Sequence, residues 1–278
     1  MTIPFFAAGD DPGPDFAALI QATSRTGTEG ISPASNIQPS GDDPINAGGL
    51  MIPHGTTCTA MKYTDGVVIA GDRRATSGNL ISHRDMEKIF STDKYSAMAI
   101  AGAAGPAIEM ARLFQLQLEH YEKVEGRSLT LDGKANQLSG MIRQNLPAAM
   151  RGMAVVPLFA GFDERKETGR LFQFDVTGGR YEEREYGVTG SGSLHAATVV
   201  KLGYRIGQDR DAAVDLSLRA LFHAADEDSA TGLPDFLRKI YPIVATIDES
   251  GFNQVDDDEI EAKYEVFLEE IAQQGLPA

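Results

Sequence analysis

The chain has 278 residues, of which 42% are hydrophobic, and a formal net charge of −15. This length allows one large domain or two small ones, and the apolar content suffices for a substantial core. The acidic balance argues against a general nucleic-acid binder, because such proteins neutralise phosphate with basic patches.

Targeting and redox signals point to one compartment. The single cysteine, Cys58, cannot form an intrachain disulfide, which fits a reducing environment. No apolar run approaches the roughly 20 residues that a membrane-spanning helix needs. The N-terminus lacks the basic region of a secretion signal and reads MTIPFFAAGDDPGPDF. We therefore expect a cytoplasmic protein without a membrane partner.

Residues 1–55 differ in composition from the remainder of the chain. They are rich in Gly, Pro, Ser and Asp, and they hold six acids and one base. Only the segment 15–24, DFAALIQATS, is compatible with a short helix, and GDDPINAGG has the chemistry of turns and linkers. The composition leaves two possibilities open, a disordered tail or a removable prosegment.

Strands and helices are predicted in blocks from Thr56 onward. The runs TTCTAMKY and GVVIAGDRR predict two strands joined at TDG as a hairpin, and GNLISHRDMEKIF and YSAMAIAGAAG add further strands. Apolar residues at helical spacing then predict two helices, the first ended by Gly126. Their positions are Ala107, Ala111, Phe114, Leu118 and Tyr121 for the first, and Leu131, Ala135, Leu138, Ile142 and Leu146 for the second.

The second half repeats this order. Strands are predicted at MAVVPLFAGFD, GRLFQFD and YEEREYGVTGSGS, helices at about 193–206 and 211–225, and a late strand at YPIVATID. The tail from Asp256 carries eight acids and one lysine, and its apolar spacing predicts an amphipathic surface helix (Ile260, Tyr264, Phe267, Ile271). Because strands and helices do not alternate, the order predicts antiparallel sheets with helices outside, rather than a doubly wound parallel sheet.

An acidic residue follows the first hairpin at an informative position. If the turn centres on Asp65, Asp72 lies beside the first residue of the opening strand. Strands are depleted in aspartate. Asp72 is therefore either a site residue or a loop-starting acid paired with Arg73 or Arg74.

The start of the same strand offers a conditional nucleophile. A threonine hydroxyl needs a base, and a free α-amine has a pKa of about 7.7–8. Thr56 could use its own amine only if the Gly55–Thr56 bond were first broken. Cys58 has no CxxC partner and is more typical of a small core residue. The histidines form no metal-binding spacing (His54, His83, His120, His195, His223).

The motifs together resemble a known family. HGTTCTAMKYTDGVVIAGDRRATSGNLIS, followed by MEKIF, AIAGAAG, GSGS and DSATG, is similar to β-subunits of the proteasome core particle over about residues 52–250. The leader, LEHYEKVEG and DEDSATGLPD most resemble the actinobacterial type. The resemblance implies an α+β fold, the four-layer αββα sandwich of two antiparallel sheets found in N-terminal-nucleophile hydrolases. It also implies a threonine endopeptidase, with 1–55 a propeptide removed by self-cleavage at Gly55–Thr56 and 56–278 the peptidase domain with its acidic C-terminal helix.

The resemblance also assigns roles to individual residues. Thr56 matches the nucleophile, Asp72 the acid beside it, and Lys88 the lysine that pairs with the acid and lowers the pKa of the hydroxyl. A lone lysine would otherwise be read as a solvated surface residue. Gly102 matches the oxyanion-binding glycine, although a plain strand-to-helix turn would also explain it. Three further positions match residues that orient the amine and support the site, with a threonine where relatives commonly carry serine: Ser191, Asp228 and Thr231.

Family positions also predict the pocket for the residue before the scissile bond. The substrate-binding residues are Ala75, Thr76, Met86, Ile100, Gly102, Ala104 and Ile108. None is charged and several are small, so the pocket is expected to be apolar and roomy. This predicts cleavage after large apolar residues.

Assembly is implied by the resemblance alone. It implies a homo-heptameric β-ring stacked on a second β-ring between rings of proteasome α-subunits. A ring-shaped ATPase activator would feed them substrates tagged with a ubiquitin-like protein (pupylated substrates), and no cofactor, metal or nucleic acid is expected. Two alternatives remain: a non-catalytic ring subunit, which the presence of Thr56, Asp72 and Lys88 disfavours, and a β-only bacterial particle, which the leader and DSATG disfavour.

Overall fold

The computed structural model describes residues 55–78 and 80–274. The predicted propeptide up to residue 54, including the possible helix at 15–24, therefore lies outside the described residues. Twelve strands occur in the described part: β1 (Thr57–Tyr63), β2 (Gly66–Gly71), β3 (Ala75–Ser77), β4 (Leu80–His83), β5 (Ile89–Asp93), β6 (Ser96–Ala99), β7 (Leu158–Asp163), β8 (Thr168–Phe174), β9 (Arg180–Glu183), β10 (Tyr186–Gly190), β11 (Ile243–Asp248) and β12 (Gly251–Gln254).

Six helices complete the described part of the chain. They are α1 (Ala104–Glu125), α2 (Leu131–Gln144), α3 (Leu146–Ala149), α4 (Ser193–Gly203), α5 (Arg210–Glu227) and α6 (Asp257–Gln274). Gly126 ends α1 in the left-handed conformation with φ 67°, as the sequence predicts. Side-chain caps begin two helices, because Thr130 accepts from Gly133 N and Asp209 accepts from Ala212 N. None of the described helices is long and apolar enough to cross a membrane.

The strands form two five-stranded antiparallel sheets and a separate hairpin of β3 and β4. The first sheet has the order β10-β1-β2-β11-β12, and the second runs from β5 to β9 in sequence order. The side chains of β2 alternate between the two faces of its sheet, as expected for a sheet that is covered on both sides. Val67 and Ile69 join the cluster between the sheets, whereas Val68 and Ala70 join the cluster beneath the helices.

Three apolar clusters separate four layers in this part of the chain. One lies between the two sheets, and the other two join each sheet to its own helices. Helices α4, α5 and α6 cover the first sheet, and α1 and α2 cover the second. The αββα sandwich with antiparallel sheets is thereby confirmed. The predicted amphipathic C-terminal helix is present too, and it buries Ile260, Tyr264 and Phe267.

Two details differ from the sequence interpretation. The run YEEREYGVTGSGS was expected to be one strand, but it divides into β9 and β10, which belong to different sheets. The chain changes sheets at Arg184 and Glu185, so this one run supplies an edge strand to both. Strand β12 was not predicted, because its four residues, GFNQ, are too short and polar to show a strand period.

Candidate active site

The β1–β2 hairpin sets the geometry of the site. Its register places Cys58 opposite Gly71, so the next residues outward, Thr57 and Asp72, also face each other. Asp72 N donates to Thr57 O at 3.2 Å, and Thr57 N donates to Asp72 Oδ1 at 2.9 Å. Asp72 therefore lies beside the start of β1, as the turn predicted, with Thr56 one residue further along.

The Asp72 carboxylate is fully buried and accepts four hydrogen bonds. Oδ1 accepts from Thr57 N at 2.9 Å and from Lys88 Nζ at 2.8 Å. Oδ2 accepts from Arg74 N and from Gly232 N, both at 2.9 Å. A buried charge is tolerated only with partners of this kind. Of the alternative pairing with Arg73 or Arg74, only a bond from the Arg74 backbone N–H occurs, and no arginine side chain of the described residues pairs with this carboxylate.

Lys88, the partner of this acid, is also buried. It immediately precedes β5, and its side chain is 1% exposed. Besides its bond to Asp72, Nζ donates to Arg74 O at 2.6 Å. An ammonium has three N–H groups. With two occupied by partners in the described part of the chain, one remains to be directed at a third acceptor.

A second network approaches Thr56 from the opposite side. Thr56 N lies 3.3 Å from Ser191 Oγ, and Ser191 Oγ makes a short hydrogen bond to Asp228 Oδ2. Asp228 Oδ2 also accepts from Thr231 Oγ1 at 2.6 Å. The hydroxyl of Thr231 thus lies beside Asp228 of the same loop. Gly232, the next residue, joins this loop to Asp72.

Thr57 belongs to the same network, a place that was not predicted from the sequence. Its side chain is fully buried, with Oγ1 2.6 Å from Thr231 Oγ1 and accepting from Gly192 N at 3.1 Å. The signal was the pair of threonines itself. Successive side chains of a strand leave on opposite faces, so the two hydroxyls cannot serve the same role.

Gly102 adopts a conformation that favours glycine. Its φ is 107°, and a Cβ on it would lie 2.1 Å from Ala154 O. The peptide groups on both sides are fixed, because Ala103 N donates to Ala154 O and Val156 N donates to Ala101 O. Helix α1 begins directly afterwards at Ala104 without a side-chain cap. Backbone N–H groups at such a helix start can face an anion.

The predicted pocket residues fall into three groups. Ile100 is buried in the cluster between the second sheet and its helices, and Met86 and Ile108 pack half-buried against the same cluster. Ala75 and Thr76 are buried on β3, which belongs to the separate β3–β4 hairpin. Gly102 and Ala104 lie at the junction into α1, described above.

The described residues support neither a cysteine nucleophile nor a metal site. Burial raises the pKa of the Cys58 thiol to about 12, an effect that nearby Lys88 only partly offsets. The thiol is therefore protonated at neutral pH and cannot act as a nucleophile. No group of histidine, cysteine and acidic side chains within 55–274 is arranged to hold a metal ion.

Comparison with known proteins gives a consistent result. The sequence model of the family described as "Proteasome subunit" matches residues 52–234. A protein named "Proteasome subunit beta" from Acidimicrobium ferrooxidans is 53% identical over 261 residues, covering 94% of this chain and 91% of its own length. Proteins of the same name from Streptomyces griseus and Acidothermus cellulolyticus are 56% and 54% identical, over 76% and 75% of this chain and 75% and 73% of their own lengths.

Proposed function

The chain belongs to the proteasome subunit family, and on that premise we propose that it is a proteolytic β-subunit, a threonine endopeptidase that activates itself. The observation that carries the proposal is the pairing of two hydrogen-bond networks, one of them fully buried, around one residue. Asp72 and Lys88 lie on one side of the start of β1, and Ser191 and Asp228 lie on the other. A buried acid with four hydrogen bonds, paired with a buried lysine that keeps one N–H uncommitted among the described residues, supports a catalytic role over that of a ring subunit without chemistry.

Thr56, rather than Thr57, is the proposed nucleophile. The hydroxyl of Thr57 is engaged by Thr231 and Gly192, and its N–H is engaged by Asp72. Side chains alternate along a strand, so the side chain of Thr56, one residue before β1, lies on the same side as that of Cys58. The positive charge of Lys88 acts on the Cys58 thiol, so Lys88 is near this side as well. The unused N–H of Lys88 is then available to stabilise a developing alkoxide.

Self-cleavage would begin with attack of Thr56 Oγ1 on the carbonyl carbon of Gly55. The bond from that carbon to Thr56 N breaks as the new ester bond forms, and the nitrogen takes up a proton to become an amine. Water then hydrolyses the ester, which restores the hydroxyl and releases the carboxyl group of Gly55. Glycine suits this position, because a Cβ on Gly55 would lie 1.7 Å from Ala230 Cβ.

The freed amine would then serve as the general base for substrates. It takes the proton of the Thr56 hydroxyl as that oxygen attacks a substrate carbonyl, and it returns the proton to the leaving amine. The Gly102 N–H supports the negative charge that develops on the carbonyl oxygen. Ser191 and Asp228 orient the amine. Water completes the cycle by hydrolysing the acyl ester.

Assembly follows from the same family membership. The relatives bear the name "Proteasome subunit beta". We propose for this chain a seven-membered β-ring paired with a second β-ring and enclosed by α-subunit rings in the cytoplasm. A ring-shaped ATPase would deliver unfolded proteins that carry a ubiquitin-like tag.

Intact-mass analysis tests the proposal. The chain is co-expressed with its α-subunit, and the expected mass is that of a product beginning TTCTAMKY. Thr56→Ala should retain the leader and give an inactive particle. Thr57→Ala should still be cleaved between Gly55 and Thr56. A mature N-terminus at Thr57 or at any other residue would contradict the assignment of Thr56.

A further inference from the structure

We propose that Thr57 is a positioning residue for the reaction, and that its hydroxyl holds the loop that orients the amine of Thr56. This inference rests on the proposed peptidase function. Thr57 is fully buried and is the first residue of β1. It is therefore fixed by the sheet, whereas Ser191 and Gly192 lie in the turn between β10 and α4.

The hydrogen bonds around Asp228 have only one consistent direction. A carboxylate accepts and cannot donate. The hydroxyls of Ser191 and Thr231 therefore both donate to Asp228 Oδ2. Since the only proton of Thr231 Oγ1 is used in this way, the hydroxyl of Thr57 must donate to Thr231 across their 2.6 Å contact.

The remaining capacity of the Thr57 oxygen is also used. It accepts from Gly192 N at 3.1 Å, and the preceding N–H, that of Ser191, donates to Thr56 O at 2.8 Å. Two consecutive N–H groups of the turn are thus tied to the two threonines. The fit is tight, because a Cβ on Gly192 would lie 2.4 Å from Thr57 Oγ1.

Loss of the Thr57 hydroxyl should affect the proposed general base, the amine of Thr56. Without the Thr57 hydroxyl, the buried Gly192 N–H loses its acceptor and Thr231 loses its donor. The turn then relaxes, and Ser191 no longer presents Oγ to the nitrogen of Thr56. An acceptor on the amine favours its protonated form, so losing that acceptor lowers the pKa of the amine and misplaces it.

The test is Thr57→Val, which keeps the shape and removes the hydroxyl, compared with Thr57→Ser, which keeps the hydroxyl. The assembled particle is produced with the leader replaced by a removable ubiquitin, so that a mature N-terminus does not depend on self-cleavage. We expect kcat per titrated active site to fall roughly ten- to a hundredfold in the valine variant, from loss of a buried hydrogen-bond partner, with KM within about twofold. The acidic limb of the kcat/KM pH profile should move to lower pH, and serine should restore both properties.

Thr59→Val is the matched control. Thr59 lies two residues along the same strand, and its buried Oγ1 has no hydrogen-bond partner in the described part of the chain. The same substitution there should leave kcat and the pH profile unchanged. Full activity and an unshifted profile for Thr57→Val in an active particle would overturn the positioning role alone. An inactive wild-type particle with a free Thr56 would instead overturn the proposed function.

Discussion

Lys88 Nζ lies 2.8 Å from Asp72 Oδ1, and the two side chains are 1% and 0% exposed. Bringing both charges out of water is costly, and an ion pair repays that cost only with good geometry and further hydrogen bonds. Here the backbone supplies them, because Asp72 keeps three N–H donors in addition to Lys88. The pair is therefore held as a preorganised electrostatic site at the start of β1.

Replacing Lys88 with alanine should remove peptidase activity while leaving a soluble, assembled particle. Removal of one well-oriented electrostatic group typically lowers the rate by about two to three orders of magnitude. Self-cleavage should slow as well, because it uses the same hydroxyl. Single-turnover hydrolysis of a fluorogenic peptide and the time course of leader removal by mass spectrometry measure the two effects.

Lys134 offers a matched control for this prediction. It is also buried and pairs with a carboxylate, that of Asp93, at 2.5 Å, but on α2 beside the second sheet. Lys134→Ala should reduce stability without changing turnover per folded particle. Near-normal turnover in Lys88→Ala, or an equal loss in both variants, would show that the role of Lys88 is misassigned.

The Arg170 guanidinium should make the free energy of unfolding depend on pH in the acidic range. It is 3% exposed and binds three carboxylates, those of Asp132, Asp163 and Glu182. Its hydrogen bond lowers the pKa of Asp132 to about 2, and a hydrogen bond from the same guanidinium lowers the pKa of Glu182. Since these folded pKa values lie below the unfolded ones, the stabilisation is present above about pH 4 and is lost as the pH falls towards 2.

Arg170→Met should lower the free energy of unfolding at pH 7 by about 3 kcal/mol, because it leaves carboxylates without their partner. It should also flatten the decline between about pH 4 and pH 2. Solvent screens the half-exposed members of the network, so the pH-dependent part should be the smaller effect. Urea unfolding of Thr56→Ala chains with and without Arg170→Met, at several pH values, measures both. A steeper acid decline in the variant would contradict this explanation.

Much of the fold could be predicted because its signals are local. The hairpin at TDG, the helix end at Gly126 and the block order of strands and helices each follow from spacing or turn chemistry. The division of YEEREYGVTGSGS between two sheets could not be predicted, since edge strands in different layers show the same alternation. Strand β12 pairs with β11 through four residues whose sequence alone carries no period.

Prediction of the candidate site from the sequence was limited in the same way, to contacts that are local in the chain. Thr56 and Asp72 could be related through one hairpin, where register is a matter of counting. The link from Thr57 to Thr231 spans 174 residues along the chain and exists only once the loop after α5 returns to β1. No spacing rule reaches that far. The resemblance supplied Ser191, Asp228 and Thr231 by analogy, whereas no role for Thr57 was inferred from it.

Cys58 should be unreactive in the folded chain despite its place two residues from Thr56, the proposed nucleophile. Its side chain is fully buried, and burial raises the thiol pKa to about 12. Alkylating reagents need the thiolate, so iodoacetamide at pH 8 should leave the native particle unlabelled. Since the chain has one cysteine, unfolding in guanidinium should give one label by mass. Rapid labelling of the native particle with loss of activity would contradict this prediction.

The residues expected to line the specificity pocket lie in and around one apolar cluster. Ile100 is buried in it, Met86 and Ile108 pack against its edge, and Ala75 is buried on β3. Burying a leucine or aromatic side chain there would be favourable by about 1.5–3 kcal/mol. A charged side chain would lose its hydration without gaining a partner from these residues.

The assembled particle should therefore cleave faster after Leu, Tyr or Phe than after Arg or Glu. A panel of fluorogenic peptides that differ only in the residue before the scissile bond measures kcat/KM for each. Met86→Glu provides the matched change, because a carboxylate at the edge of the pocket should raise cleavage after Arg and lower it after Phe. Faster cleavage after Arg or Glu by the wild-type particle would contradict the prediction and would indicate that a neighbouring subunit contributes a charge to the pocket.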